Sequence, residues 1–350
     1  MLMQAIPAYR LPREELAREI RMIERLGVDI ETNTRLGRDF TLKSLRDEGY
    51  EAVFVGIGAP IGTRLGIPGD DGEGVADALH FLREYNVRGS APVGKKVVVV
   101  GGGNAAVDAA RTALRLGAQT VTILYRRTRT EMPAYKEEVD EAEREGVRLA
   151  VLVAPVEIVK KNGKVAGMKC RNMVLGEFDR SGRRRPVGGQ DGEFVVECDQ
   201  VIAGIGQMLD PKQALDGVEV KLSKNGFIAV DAVTGQASQP WLFAGGDAVL
   251  GPSSVVHAIA QGEKAAVGID KLLTGAEHAF WRKEKTVDAF FDPDADPVQY
   301  GRAKMQLIPV SKRKHNFQEV ELPWSEPAAR REAKRCLRCD FRAPADVEKE

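Results

Sequence analysis

The stretch "KKVVVVGGGNAAVDAARTALRLGAQTVTILYRR", Lys95 to Arg127, constrains the fold more than any other part of the chain. A run of four valines predicts a strand over 96 to 100, and three glycines then force a tight turn. A helix follows from about Asn104 to Leu116, Gly117 supplies its stop signal, and a second apolar run predicts a strand over 120 to 125. Strand, turn, helix and strand in this order form a βαβ unit, the building block of a parallel sheet in an α/β fold.

Within the turn, Gly101, Gly103 and Ala106 match G-x-G-x-x-A directly after a strand and at the head of a helix. Gly101 permits the turn, Gly103 lets the backbone approach a pyrophosphate, and Ala106 keeps the helix close to the sheet. Asn104 and Ala105 open the helix, where free backbone amides face negative charge. The end of the second strand selects the nucleotide. A carboxylate there receives the ribose hydroxyls of NAD and repels a 2′-phosphate. This chain has Arg126 and Arg127 instead, with Arg129 just beyond. Guanidinium forks attract phosphate, so the pair favours NADPH over NADH. The alternative is a solvated strand end with no ligand.

Elsewhere the pattern predicts helices over 13 to 27, in "GVADALHFLREYNV" and over 134 to 145, and a buried strand in "EAVFVGIGAP". The segment from Val147 to Met173 alternates about an Asn162-Gly163 turn and reads as a β-hairpin. Residues 176 to 192, rich in arginine and glycine, read as a long exposed turn. Further strands are expected in "GFIAVDAVTGQASQPWLFAGGDAV", and a final long helix in "SSVVHAIAQGEKAAVGIDKLL". After Gly275 the chain becomes extended, with a basic patch "SKRKH" at 311 to 315.

Lys and Arg number 51 and Asp and Glu 51, so no net charge draws the chain to nucleic acid or an anionic membrane. No apolar run approaches the roughly 20 residues of a membrane span, and the N-terminus lacks the features of a signal peptide. The expected location is the cytoplasm. Of four cysteines, Cys170 and Cys198 fall on predicted strands and read as buried small hydrophobes. Cys336 and Cys339 form a C-x-x-C pair, which in a cytosolic chain points to metal or redox chemistry. His80 and His257 lie in helical segments, and His278 and His315 have no metal-ligand spacing. No His-Asp or Cys-His constellation is evident, and no catalytic side chain is assigned.

Five segments together resemble the small, NADPH-oxidising subunit of glutamate synthase and its wider family. They are "AIPAYRLPREEL" at 5 to 16, "GGGNAAVDAARTALRLGA" at 101 to 118, "LYRRTRTEMPA" at 124 to 134, "EEVDEAEREGV" at 137 to 147, and "LFAGGDAVLGPSSVVHAIAQGEKAA" at 242 to 266. The resemblance implies a Rossmann-like two-dinucleotide-binding α/β fold. A partial FAD-binding domain is expected at 1–60 and 235–275, an inserted NADPH-binding domain at 61–234, and an extended C-terminal segment at 276–350.

By the same resemblance, Gly246 and Asp247 lie at the ribityl and phosphate region of FAD, and Ser253, Ser254, Val255 and Val256 start a helix whose amides approach the isoalloxazine. Pro7 and "YRLP" at 9 to 12 lie near the flavin and the domain interface. The implied activity is hydride transfer from NADPH to FAD, with electrons passed to an iron-sulfur partner. The relatives carry their FAD glycine fingerprint upstream of "IPAYRLP", where this sequence has almost nothing. The expectation is therefore a protein partner or further chain segment supplying FAD-domain and iron-sulfur elements, a shortened product, or loss of FAD binding. "EAKRCLRC" resembles the start of the family's [4Fe-4S] region, and two cysteines make only part of such a site. Zinc, or thiols with no ligand, are the alternatives for the pair. A non-catalytic nucleotide-responsive assembly subunit and a truncated NADPH-binding fragment are the alternative functions.

Overall fold

The computed structural model describes residues 1–179, 182–210, 215, 217–279 and 301–335. Its largest sheet has five parallel strands in the order Val75–Asp77, Gln200–Ala203, Lys96–Val100, Thr120–Tyr125 and Arg148–Val151. The valine run is buried on both sides, and its alternation explains why. Val97 and Val99 pack with Ala106, Val107, Phe81 and Val139, contributed by three helices: Ala78–Arg88, Asn104–Arg115 and Lys136–Arg144. Val98 and Val100 face the opposite way, toward Ile158, Val165, Met168 and Cys170 of an antiparallel sheet. A strand covered on both faces needs no polar alternation.

That antiparallel sheet consists of Val153–Lys161, Lys164–Phe178 and Arg184–Val196. Asn162 and Gly163, with φ of 54° and 78°, make the tight turn that its first hairpin requires. Three expectations are corrected here. Most of the 176 to 192 segment is strand, because Met173, Val174 and Leu175 pair with Gly188, Val187 and Pro186 across a ribbon. Arg148–Val151 belongs to the parallel sheet, and Leu152, at φ 55°, switches the chain into the antiparallel one. The segment beginning "GVAD" also opens as strand Val75–Asp77 before the Asp77 carboxylate caps the Ala78–Arg88 helix.

The chain enters and leaves this five-stranded unit side by side, since Ile61–Gly62 pairs antiparallel with Gln207–Met208. Outside it, Val53–Val55 pairs in parallel with Leu242–Ala244, and both pack with Leu42 and Ile228. The expected further strands between 226 and 249 reduce to Leu242–Ala244 and two isolated bridges, Leu222 to Ile228 and Gln236 to Phe243. The 20-residue helix Val255–Thr274 follows, and a shorter helix, Glu326–Ala333, lies beyond it. No helix among the described residues is long and apolar enough to cross a membrane.

A buried charge cluster joins four segments distant in sequence. Tyr9 is 1% exposed, and the Arg111 and Arg115 guanidinium carbons lie 4.8 and 3.9 Å from its ring centroid. Arg10 grips both oxygens of Asp108 at 2.9 and 2.8 Å, and Glu145 receives Arg111 at 2.7 Å and Arg115 at 2.6 Å. Arg313 completes the cluster on Glu141 and, at 3.1 Å, on Glu145. The basic patch at 311 to 315 is thus not wholly a surface feature, for Arg313 is only 4% exposed.

Burial raises the Asp108 carboxyl to about 6 against the pull of Arg10. Burial also opposes ionisation of Glu145, but hydrogen bonds from Arg115 and Arg111 outweigh it and hold this group down at about 2. Glu145 therefore stabilises the fold fully above its ordinary value of 4.5, and the contribution is lost as pH falls toward about 2. Glu145→Gln should cost about 3–5 kcal/mol at neutral pH, because it strips buried guanidiniums of their partner. In urea unfolding, the gap between wild type and variant should narrow progressively below pH 4.5. A gap independent of pH would show that the Glu145 charge contributes nothing.

Candidate functional site

The glycine turn sits where the Lys96–Val100 strand meets the Asn104–Arg115 helix. Gly101 has φ 142°, and a Cβ there would lie 2.2 Å from the Gly204 carbonyl oxygen. Gly204, just past the Gln200–Ala203 strand, is equally confined, with a Cβ only 2.8 Å from that of Ala106. A methyl on Gly102 would meet the Tyr125 ring at 2.5 Å. Three glycines are thus required by the protein's own packing. Gly103 differs: its φ of −90° suits any residue, and a Cβ would meet nothing within 4 Å.

Gly103 caps the helix without a side-chain hydrogen bond. The Ala106 and Val107 amides turn back to the Gly103 carbonyl, and those of Asn104 and Ala105 remain at the helix mouth as donors for an anion. The Asn104 side chain is committed elsewhere, accepting from the Tyr135 amide at 3.0 Å, and the Ala134 amide donates to the Gly102 carbonyl at 3.0 Å. These bonds tie the loop after Tyr125 to the turn.

At the end of the Thr120–Tyr125 strand the arginines part company. Arg126 is exposed, and none of the described residues engages its side chain. Arg127 is 5% exposed, paired with Asp179 at 2.8 Å and donating from Nε to the Arg184 carbonyl at 2.9 Å. Arg129 is held by Asp140 and, at 2.8 Å, by Glu143. The expectation that Arg126 and Arg127 both face a phosphate is corrected in this respect, because a buried guanidinium with two partners is not free to receive one.

A second glycine-bounded corner lies after the Leu242–Ala244 strand. Gly246 adopts φ 66°, ψ −149°, and its amide donates to Gln261 Oε1 at 2.7 Å. The Asp247 carboxylate accepts from the Ser253 amide at 3.0 Å, and burial raises its pKa despite that bond. Ser254 caps the Val255–Thr274 helix by accepting from the His257 amide, and Ser253 Oγ lies 2.7 Å from His257 Nδ1. Val255 and Val256 are 40% and 73% exposed at the helix start, an apolar surface beside polar groups. Tyr9 and Arg10 of the "YRLP" segment pack against the Asn104–Arg115 helix, in the charge cluster.

Cys336 and Cys339 lie outside the described residues, and among those described no group of three or more His, Cys, Asp or Glu can hold a metal ion. Cys170 and Cys198 are buried as expected, and burial pushes both thiols up to about 12. Gly204 and Asp179 were not singled out from sequence. "VIAGIG" at 201 to 206 carries a signal for the former, a strand run ending in closely spaced glycines, whereas nothing local marks Asp179.

A parallel five-stranded sheet with a glycine turn, carried between the paired strands Val53–Val55 and Leu242–Ala244, has the two-dinucleotide-binding Rossmann-like fold. The model of the pyridine nucleotide-disulphide oxidoreductase family matches residues 3–262, and the chain belongs to that family. It is 45% identical over 97% of its length to the NADP(+)-dependent formate dehydrogenase subunit beta of Moorella thermoacetica, covering 49% of that protein. It is 38% identical to the NADPH-Fe(3+) oxidoreductase subunit beta of Geobacter sulfurreducens, over 97% of this chain and 55% of that one. The glutamate synthase [NADPH] small chain of Escherichia coli is 38% identical over 77% of this chain and 60% of its own. The chain thus spans about half the length of the first two relatives. Mycobacterium tuberculosis FprA, solved in complex with NADPH, shares the fold with a TM-score of 0.64, at 19% identity over 79% of this chain and 75% of that one.

The two outer glycines of the motif should behave differently. Gly101→Ala should cost about 1–3 kcal/mol in thermal unfolding, because backbone must move to admit the methyl. Gly103→Ala should stay within about 0.5 kcal/mol of wild type. Equal destabilisation would refute the view that packing demands only the first.

Proposed function

We propose that the chain is the NADPH-oxidising, FAD-dependent input module of a larger electron-transfer assembly. The observation that carries this reading is the juxtaposition at one sheet end of two features. One is a helix mouth with open space at Gly103 and free amides at Asn104 and Ala105, and the other is exposed Arg126 just past the end of the adjacent strand. The amides suit a pyrophosphate, and the Arg126 guanidinium suits the 2′-phosphate that separates NADPH from NADH.

The second corner fits FAD. Gly246 permits close backbone approach, Asp247 offers an acceptor for a ribityl hydroxyl, and the segment from Ser253 to Val256 presents a helix N-terminus and an apolar face to a flavin ring. When both are bound, NADPH supplies a hydride to the flavin, which releases electrons singly. The protein's part is to bind, align and shield from water.

The names of the three relatives share a phosphorylated nicotinamide nucleotide and a subunit or chain designation while differing in what is oxidised or reduced. This supports an input module whose acceptor is set by a partner; the assembly is assigned to the cytoplasm. Cys336 and Cys339 are assigned to part of a [4Fe-4S] site that further cysteines from a partner or additional segment complete.

Calorimetric titration of the purified chain with NADPH and NADH, with FAD retention read from its absorption spectrum, tests this reading. Arg126→Ala should weaken NADPH roughly 10- to 100-fold, the worth of a charged hydrogen bond, and leave NADH nearly unchanged. Gly103→Val should abolish binding of both without loss of fold. Equal weakening of the two dinucleotides by Arg126→Ala, or a wild-type chain that binds neither, contradicts the proposal.

A further inference from the structure

We propose that Arg127 and Asp179 are a positioning pair for nucleotide selectivity. Their ion pair pins the tip of the Lys164–Phe178 and Arg184–Val196 ribbon against the strand end that carries Arg126, and so holds Arg126 in place for a 2′-phosphate. The inference rests on the NADPH reading above and adds a group of residues outside the βαβ unit to that site.

Arg127 holds both arms of the ribbon. Its Nη2 meets Asp179 Oδ2 at 2.8 Å, immediately after Phe178, and its Nε donates at 2.9 Å to the carbonyl of Arg184, the first residue of the returning strand. Asp179 also organises the tip itself, since its amide donates to the Arg183 carbonyl at 2.7 Å and its carbonyl accepts from Gly182 at 3.0 Å. The Arg127 main chain is fastened too. Its carbonyl accepts from the Leu152 amide at 3.1 Å, and the Leu152 carbonyl accepts from Met173 of the ribbon at 2.7 Å. Leu152 reaches both partners at φ 55°, a conformation that a branched side chain adopts only where surrounding bonds impose it.

The other flank of Arg126 is equally fixed. Tyr125 donates its hydroxyl to the Glu131 carbonyl at 2.8 Å, and Glu131 closes a capping box on Thr128. Arg126 is therefore an exposed guanidinium set between immobilised neighbours, which reduces the ordering cost of receiving a ligand. The ribbon tip adds exposed Arg183, Arg184 and Arg185, so its placement also decides how positive this end of the sheet is.

Charge and position make opposite predictions for one substitution. Asp179→Asn removes a negative charge near an anion site and releases Arg127. If charge alone mattered, or if Arg127 were itself a phosphate ligand held back by Asp179, NADPH would bind more tightly. If the pair positions the site, NADPH binds more weakly although a repelling charge has gone.

The experiment is calorimetric titration of the intact chain with NADPH and NADH, comparing wild type, Asp179→Asn, Asp179→Glu and Arg126→Ala. Asp179→Asn is expected to lower the preference for NADPH about tenfold with NADH affinity unchanged, and Asp179→Glu to restore most of it. Unchanged NADH binding also reports that the variant is folded. A preference that stays the same or rises in Asp179→Asn, while Arg126→Ala abolishes it, overturns the positioning role alone. Equal loss of both dinucleotides in Asp179→Asn and Asp179→Glu overturns it as well, showing a general packing role. If Arg126→Ala leaves the preference intact, the assignment of the phosphate end fails, and the positioning role with it.

Discussion

Buried charge is costly unless it is paired, and that requirement organises this molecule around the Asn104–Arg115 helix from Asp108 onward. Asp108, Arg111 and Arg115 are each less than 5% exposed, and no single segment nearby can neutralise them. Arg10 comes from the N-terminal region, Glu138, Glu141 and Glu145 from 136 to 145, and Arg313 from beyond the long helix. Tyr9 fills the space beneath two buried guanidiniums, giving them a polarisable face. A helix so anchored at one end presents its other end, the glycine turn, as a fixed structure.

The helix therefore links stability to binding. Its N-terminal amides lie at the sheet end where Gly101, Gly204 and Ala106 interlock, and its C-terminal half is locked by the ion cluster. The five-stranded unit hangs on two adjacent antiparallel crossings, Ile61–Gly62 and Gln207–Met208, and the cluster adds contacts from the N- and C-terminal regions. Such an arrangement suits a protein that must keep one bound nucleotide in register with another, since small misalignment of reacting rings is costly in rate.

Local chemistry was legible in the sequence and distant pairing was not. The Lys96–Val100 and Thr120–Tyr125 strands and the glycine turn follow from adjacent residues, each reinforcing the same backbone conformation. The 176 to 192 ribbon has weak strand propensity, and its partners supply the order that its glycines and arginines lack. Arg126 and Arg127 look equivalent in one dimension, yet successive side chains at a strand end point to opposite sides, leaving one in solvent and one inside. The inward turn of Arg313 depends on carboxylates about 170 residues earlier, at separations of 172 and 168, and no window of sequence contains both.

Anaerobic addition of NADPH to the FAD-loaded chain, followed by the flavin's long-wavelength absorption, tests the electron path most directly. Rapid bleaching with NADPH, and slower bleaching with NADH at equal concentration, is the expected result. A flavin that stays oxidised while NADPH is demonstrably bound would contradict the assignment of the two corners to one hydride-transfer site.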